Sequence, residues 1–254
     1  MKLSMVQKGT KNAQRMIRIY ENCLLHLKVY GGSCKKMISM IYLNLGIVYE
    51  SRNKFEKALI CYEKCSEIKA QDNSSTKVQA LIRRVTLLLC CERDEEAKAV
   101  LQLVCEEGEI HQRAEILMLE GQLYERSSQV REALERYTLA LSMAATQNKQ
   151  TVARCKAEIA NLLFGLEKYQ DAKLHVDDAL KSSDGMVKAK LLLLRGQICQ
   201  SEKNEKKALQ CFDKAITILI TFNKKMTLSN LHHIKTHRML LAKAKFFKGC
   251  IQGK

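Results

Sequence analysis

Cys61 and Cys65 stand four residues apart, so on a helix both thiols fall on one face at a spacing that could supply two metal ligands. His232, His233 and His237 hold a second such pair, His233 and His237. No Cys, Asp or Glu lies near those histidines in sequence, and a solvated basic face is the preferred reading of that segment. The two cysteines also fall in a helix-packing register, where a thiol behaves as a small hydrophobe, and packing is preferred there over metal binding. The chain has no glycine-rich phosphate loop, GxSxG elbow, HExxH, EF-hand or CxxC pattern. The expectation is a non-enzymatic protein with no catalytic residues, no cofactor and no metal.

The elements that would position any site are helices. Of 254 residues, 46% are hydrophobic and 28% charged, which suits a folded protein, and Pro is absent. With 11 glycines and no proline, few helix breakers remain, so an all-α chain is expected. The net charge of +16 is concentrated at the ends: +7 over residues 1–40, +1 over 41–220 and +8 over 221–254. Attraction to acidic partners belongs at those ends. Eleven cysteines with no apolar leader after Lys2 point to a reducing compartment, cytoplasm or nucleus. Apolar runs such as residues 191–194 and 218–220 are far too short to cross a bilayer, so no integral membrane association is expected.

A repeat organises the middle of the chain. Five small residues are each followed twelve residues later by alanine: Gly46/Ala58, Val85/Ala97, Gly121/Ala133, Ala160/Ala172 and Gly196/Ala208. Four residues beyond each alanine comes a bulky side chain (Tyr62, Leu101, Tyr137, Val176, Phe212), and three further on a smaller one (Cys65, Val104, Ala140, Ala179, Ala215). That is one face of a helix, here helix B. Its partner, helix A, carries the small residue, with Tyr49, Leu88, Tyr124, Leu163 and Cys199 three positions on. Small residues let the two helices approach as a hairpin, and stacked hairpins bury the faces that one hairpin leaves open. Turns are expected at Arg52-Asn53-Lys54, Arg93-Asp94, Ser127-Ser128-Gln129, Leu166-Glu167-Lys168 and Glu202-Lys203-Asn204.

These residues resemble the tetratricopeptide repeat family. The best matches are Leu45-Gly46-x2-Tyr49 with Phe55-x2-Ala58-x3-Tyr62, and Gly121-x2-Tyr124 with Ala133-x3-Tyr137-x2-Ala140; Gly196 with Ala208-x3-Phe212-x2-Ala215 is a third. Tyr20-x2-Cys23 echoes Tyr62-x2-Cys65 and suggests a partial repeat ahead of the five, extending the resemblance over residues 16–220. Successive alanines are 39, 36, 39 and 36 residues apart. That exceeds the family's usual repeat length, so longer helices or loops are expected. The implied fold is an all-α, right-handed α-solenoid of antiparallel helix hairpins, with a basic N-terminal segment over 1–38, hairpins over 39–222 and a basic amphipathic capping helix over 223–254.

The resemblance also implies a function. Such arrays bind a peptide or helix in a concave groove, chiefly through helix A side chains. Here these would be Met40, Leu43, Asn44, Ile47, Gln79, Ile82, Arg83, Thr86, Glu115, Met118, Gln122, Arg154, Asn161, Lys190 and Gln197. In the chaperone-binding relatives a Lys/Asn/Arg set holds a C-terminal carboxylate. Only Asn44 and Arg83 match that set, and Gln79 stands where a lysine is needed. The expected role is a protein-binding scaffold or adaptor. Two alternatives stand beside it: a nucleic-acid-associated or acidic-partner-binding protein acting through its basic ends, and a structural subunit of a larger assembly. The tail over 223–254 reads as a cap, an acidic-protein target helix, a nucleic-acid or import patch, or an anionic-membrane anchor.

Overall fold

Five copies of one turn set the architecture. In each, the backbone N–H of the last turn residue reaches back to a carbonyl five residues earlier: Lys54 to Tyr49, Arg93 to Leu88, Gln129 to Tyr124, Lys168 to Leu163 and Asn204 to Cys199, all at 2.8–3.0 Å. This is the Schellman closure of a helix, and it needs one left-handed residue. That residue is Asn53, Glu92, Ser128, Glu167 or Lys203, with φ between 56° and 60°, and none is glycine. The second turn is therefore centred on Glu92, just before the expected Arg93-Asp94. The next helix starts at once, with Ala58, Ala97, Ala133, Ala172 and Ala208 donating the same early N–H bond. An identical turn between identical registers is what holds the small-residue-to-alanine interval at twelve.

A non-glycine residue in the left-handed region costs about 1 kcal/mol. Glu167 is exposed, so Glu167→Gly should raise stability by about 0.5–1 kcal/mol, read as a higher thermal midpoint. An unchanged or lower midpoint would mean that this turn is not strained.

The computed structural model describes the backbone of residues 2–29, 34–69, 74–107, 112–144, 149–225 and 231–253, and side-chain surroundings for 12–27, 34–69, 74–106, 112–144, 149–221 and 239–253. Among the described residues there are twelve helices and no strand. A long helix α1 (Lys2–Val29) precedes five hairpins: α2 (Lys35–Ser51) with α3 (Phe55–Glu67), α4 (Ser74–Cys90) with α5 (Asp94–Glu107), α6 (Arg113–Arg126) with α7 (Val130–Ala144), α8 (Lys149–Gly165) with α9 (Tyr169–Ser182), and α10 (Gly185–Ser201) with α11 (Glu205–Lys225). A last helix, α12 (Leu231–Ile251), follows. Helix A is 17 residues long in four of the five hairpins, which takes up much of the extra repeat length.

Two boundaries differ from the sequence reading. α11 runs on to Lys225, because nothing in Thr221-Phe222-Asn223 stops a helix, so residues 223–225 belong to the second helix of the fifth hairpin. On α1, the buried residues are Ile17 and Leu24, seven apart, while Tyr20 and Cys23 are only half-buried. The echo of Tyr62 and Cys65, both fully buried, is thus not a packing echo. α1 lies against α2, and Tyr49 Oη donates to Glu21 Oε1 at 3.0 Å.

The chain divides into two compact units, one formed by Met1–Ile110 with Met226–His233 and holding the first two hairpins, the other formed by His111–Lys225 with Ile234–Lys254. Within each unit, helix A of one hairpin touches helix A of the next: α2 with α4 in the first, α6 with α8 and α8 with α10 in the second. Neighbouring B helices make no such contact among the described residues. Closer A helices and splayed B helices place the A face on the inside of each unit's curve.

Packing inside the hairpins takes two forms. In the first, third and fifth, an aromatic ring packs directly against a glycine: Tyr62 on Gly46, Tyr137 on Gly121, Phe212 on Gly196. All three rings are fully buried. In the second and fourth, Val85 meets a Leu101 register and Ala160 a Val176 register, with all four buried. Each hairpin thus fills the space between its two helices with its own combination of buried side chains.

Candidate functional site

The five A helices expose the same positions. Six residues before each small residue stand Met40, Gln79, Glu115, Arg154 and Lys190, all exposed; one after it stand Ile47, Thr86, Gln122, Asn161 and Gln197, exposed or half-exposed. Asn44 and Arg83, two before, are half-exposed. Twelve of the fifteen expected groove residues thus face outward on the A side of their own unit.

Leu43, Ile82 and Met118 do not. Their exposures are 7%, 6% and 2%. They sit three before the small residue, where helix A leans on its neighbours, as Met118 does in a core with Ala140, Ala144 and Cys155. Burial takes these three out of any contact surface.

Sequence reading missed the acidic side chains that order this face. Glu50 accepts the phenol of Tyr62 at 2.5 Å and lies 3.6 Å from Arg83. Arg83 is therefore already paired, which further weakens any carboxylate capture by Asn44 and Arg83. In the second unit Glu125 accepts the Tyr137 phenol at 3.0 Å. Glu50 and Glu125 each stand four after a glycine and twelve before the tyrosine they serve. The fifth hairpin has Gln200 and Phe212 at those positions, where there is no hydroxyl to bind. That joint change, acid with tyrosine and amide with phenylalanine, was the signal available in sequence. Both phenols are pushed well above their ordinary range, by burial first and then by the neighbouring carboxylate.

Glu158 occupies the Asn44/Arg83 register in α8. Burial raises its carboxyl above the usual range; Lys190 pulls against this, Glu125 adds to it, and Arg154 opposes. A carboxyl raised on folding favours the folded state at low pH, and that contribution is lost as pH rises from the ordinary carboxylate value through the raised one. Glu158→Gln should therefore raise the thermal midpoint at pH 7 more than at pH 4. An equal effect at both would show that Glu158 is not held in a desolvated site.

The cysteine pair takes its packing role. Cys61 and Cys65 are buried, and burial pushes the Cys61 thiol up to about 11 and raises Cys65 as well. The buried Ser39 hydroxyl lies 3.2 Å from the Cys65 sulfur. A metal ligand must be a thiolate, which this environment disfavours. Among the described residues no three His, Cys, Asp or Glu gather as a metal site. The side chains of His232, His233 and His237, and of Lys224, Lys225, Lys235 and Arg238 in the basic tail, lie outside the described residues. No helix of the described chain is long and apolar enough to cross a membrane.

Stacked hairpins with one repeated turn, an inner A face and small-residue helix crossings define an α-solenoid of the tetratricopeptide class. A tetratricopeptide repeat model matches residues 41–72 and 189–218, which fall in the first and fifth hairpins. No curated protein matches the chain. The fold is similar to BtubC (BKLC) from P. vanneervenii, with 16% identity, a TM-score of 0.64, and coverage of 87% of this chain and 93% of that one. It is also similar to a signal-transduction ATPase with a tetratricopeptide repeat sensor, PH0952 from Pyrococcus horikoshii, with 13% identity, a TM-score of 0.68, and coverage of 92% of this chain and 34% of that one. The apo form of RapI is a third, with 14% identity, a TM-score of 0.67, and coverage of 96% and 71%. The chain has the fold of tetratricopeptide-repeat proteins, and the repeat model matches two of its five hairpins. That fold supports a protein–protein interaction scaffold in general.

Proposed function

We propose that the chain is an adaptor that holds a peptide or helix of a partner protein against its A-helix face. The observation that carries this reading is the repeated exposure of one register on every A helix: Met40, Gln79, Glu115, Arg154 and Lys190 stay open although each flanks a buried core. A solenoid that only needed to stack has no use for five different side chains at one open position, whereas sequence-selective recognition does. The mixture of Met, amide, acid and base favours a partner segment of mixed polarity over a purely charged one.

Affinity from such a surface is spread over many contacts. Peptides selected on the full chain from a random displayed library provide the probe. Asn44→Ala with Arg83→Ala in the first unit, and Arg154→Ala with Lys190→Ala in the second, should each weaken a selected peptide by about 1–2 kcal/mol, or about 5–30-fold, by fluorescence anisotropy. If both double variants bind every selected peptide as the parent does, the A-helix face is not the binding surface.

A further inference from the structure

Helix α12 has two faces of opposite kind. Leu240 and Ala244 are buried, and with partly buried Phe247 and Ile251 they close on Ala208, Phe212, Ala215 and Leu219 of α11. Phe247 stacks on Phe212 with ring centroids 5.7 Å apart. The outward face carries Met239, Ala242, Phe246 and Gly249, spaced three, four and three residues. Met239 is 49% exposed and Phe246 67%. Written as a heptad, these are successive a and d positions, large at a and small at d. Lys243 and Lys245 then fall at e and g, both exposed. Neither has an ion pair among the described residues, whereas Lys248, on the buried flank, reaches Asp213 at 2.6 Å.

A helix that merely closes a solenoid turns a polar face outward. This one turns out a seam of knobs and holes. We propose that the seam docks one helix of a partner protein, whose large aliphatic side chains sit over Ala242 and Gly249 and whose own e and g positions are acidic, opposite Lys243 and Lys245. Charge selects that occupant. No Asp or Glu follows Asp213 in the sequence, so a second copy of α12 would set lysine against lysine at both flanks. A membrane surface would gain little from Ala242 and Gly249, whose small side chains bury little apolar area, but a helix needs such holes. A nucleic acid would use the lysines and leave Met239 and Phe246 in water. The site is separate from the A-helix face and does not depend on the function proposed for it.

The probes are two synthetic three-heptad peptides with Leu at a and d, one with Glu at e and g and one with Lys, titrated against the full chain by fluorescence anisotropy. The Glu peptide should bind saturably and about tenfold or more tighter than the Lys peptide. Phe246→Asp should weaken it about tenfold or more, while Leu174→Asp, at the 71%-exposed Leu174 of α9, should leave it unchanged. Lys243→Glu with Lys245→Glu should transfer the preference to the Lys peptide. These side chains are exposed, so an unchanged thermal midpoint will accompany each variant. The proposal is overturned if the Glu peptide does not bind saturably, if Phe246→Asp leaves its affinity unchanged, or if phosphatidylserine vesicles or duplex DNA bind the chain and displace it.

Discussion

Tyr137→Ala should destabilise the second unit by about 3–5 kcal/mol, the cost of emptying a fully buried aromatic site. Tyr137 is 0% exposed and joins a core that also holds Ala133, Ile159, Ala160, Leu163, Ala172, Val176 and Leu191, spanning three hairpins. Because the ring lies between hairpins, its loss removes packing within α6 and α7 and against α8 together. Tyr137→Phe keeps the ring and removes only the bond to Glu125, which can return to solvent, so it should cost about 1 kcal/mol. Urea unfolding of the two variants separates the contributions. Equal losses in both would mean that the hydrogen bond, and not the ring, holds this core.

The glycine under that ring gives the second large effect. On helix propensity alone Gly121→Ala gains about 1 kcal/mol. A methyl there would stand 2.5 Å from Cε1 of Tyr137, and the ring has no free space to move into. Overpacking of this kind costs up to about 3 kcal/mol, so the net should be a loss of about 2. The chain itself indicates the remedy, since its second and fourth hairpins pair Val85 with Leu101 and Ala160 with Val176. Gly121→Ala combined with Tyr137→Leu should therefore recover about 1–2 kcal/mol relative to the sum of the single changes. Strict additivity in that double-mutant cycle would refute direct contact as the reason for the glycine.

The hairpins could be read from sequence because a helix face repeats every three or four residues and because one turn, used five times, keeps the register rigid. Gly46, Ala58 and Tyr62 are thus legible as a set. The A-face was legible only in part. Met40 and Lys190 stay outside as their position requires, but Leu43, Ile82 and Met118 share the face by sequence and are buried, Met118 in a core with Cys155 of the next hairpin, a contact no local period encodes. Glu50 and Glu125 escaped because an acid on a helix surface looks like ordinary solvation; only its partner, a tyrosine hydroxyl on the other helix of the hairpin, gives it a role. Glu158 was missed because its neighbours Lys190 and Glu125 come from different hairpins. The seam on α12 was hidden by its own charge: five basic residues in one helix drew the reading toward electrostatics, while the small residues at 242 and 249 looked like gaps.

The two hairpin types alternate without exception, ring on glycine and then aliphatic on a larger residue. Gly46, Gly121 and Gly196 are accordingly 75 residues apart, twice over. The module of this architecture is therefore a pair of hairpins rather than one. Removing an inner hairpin or duplicating any one would bring two of the same type together, whereas a block of two could be inserted or excised with the alternation kept.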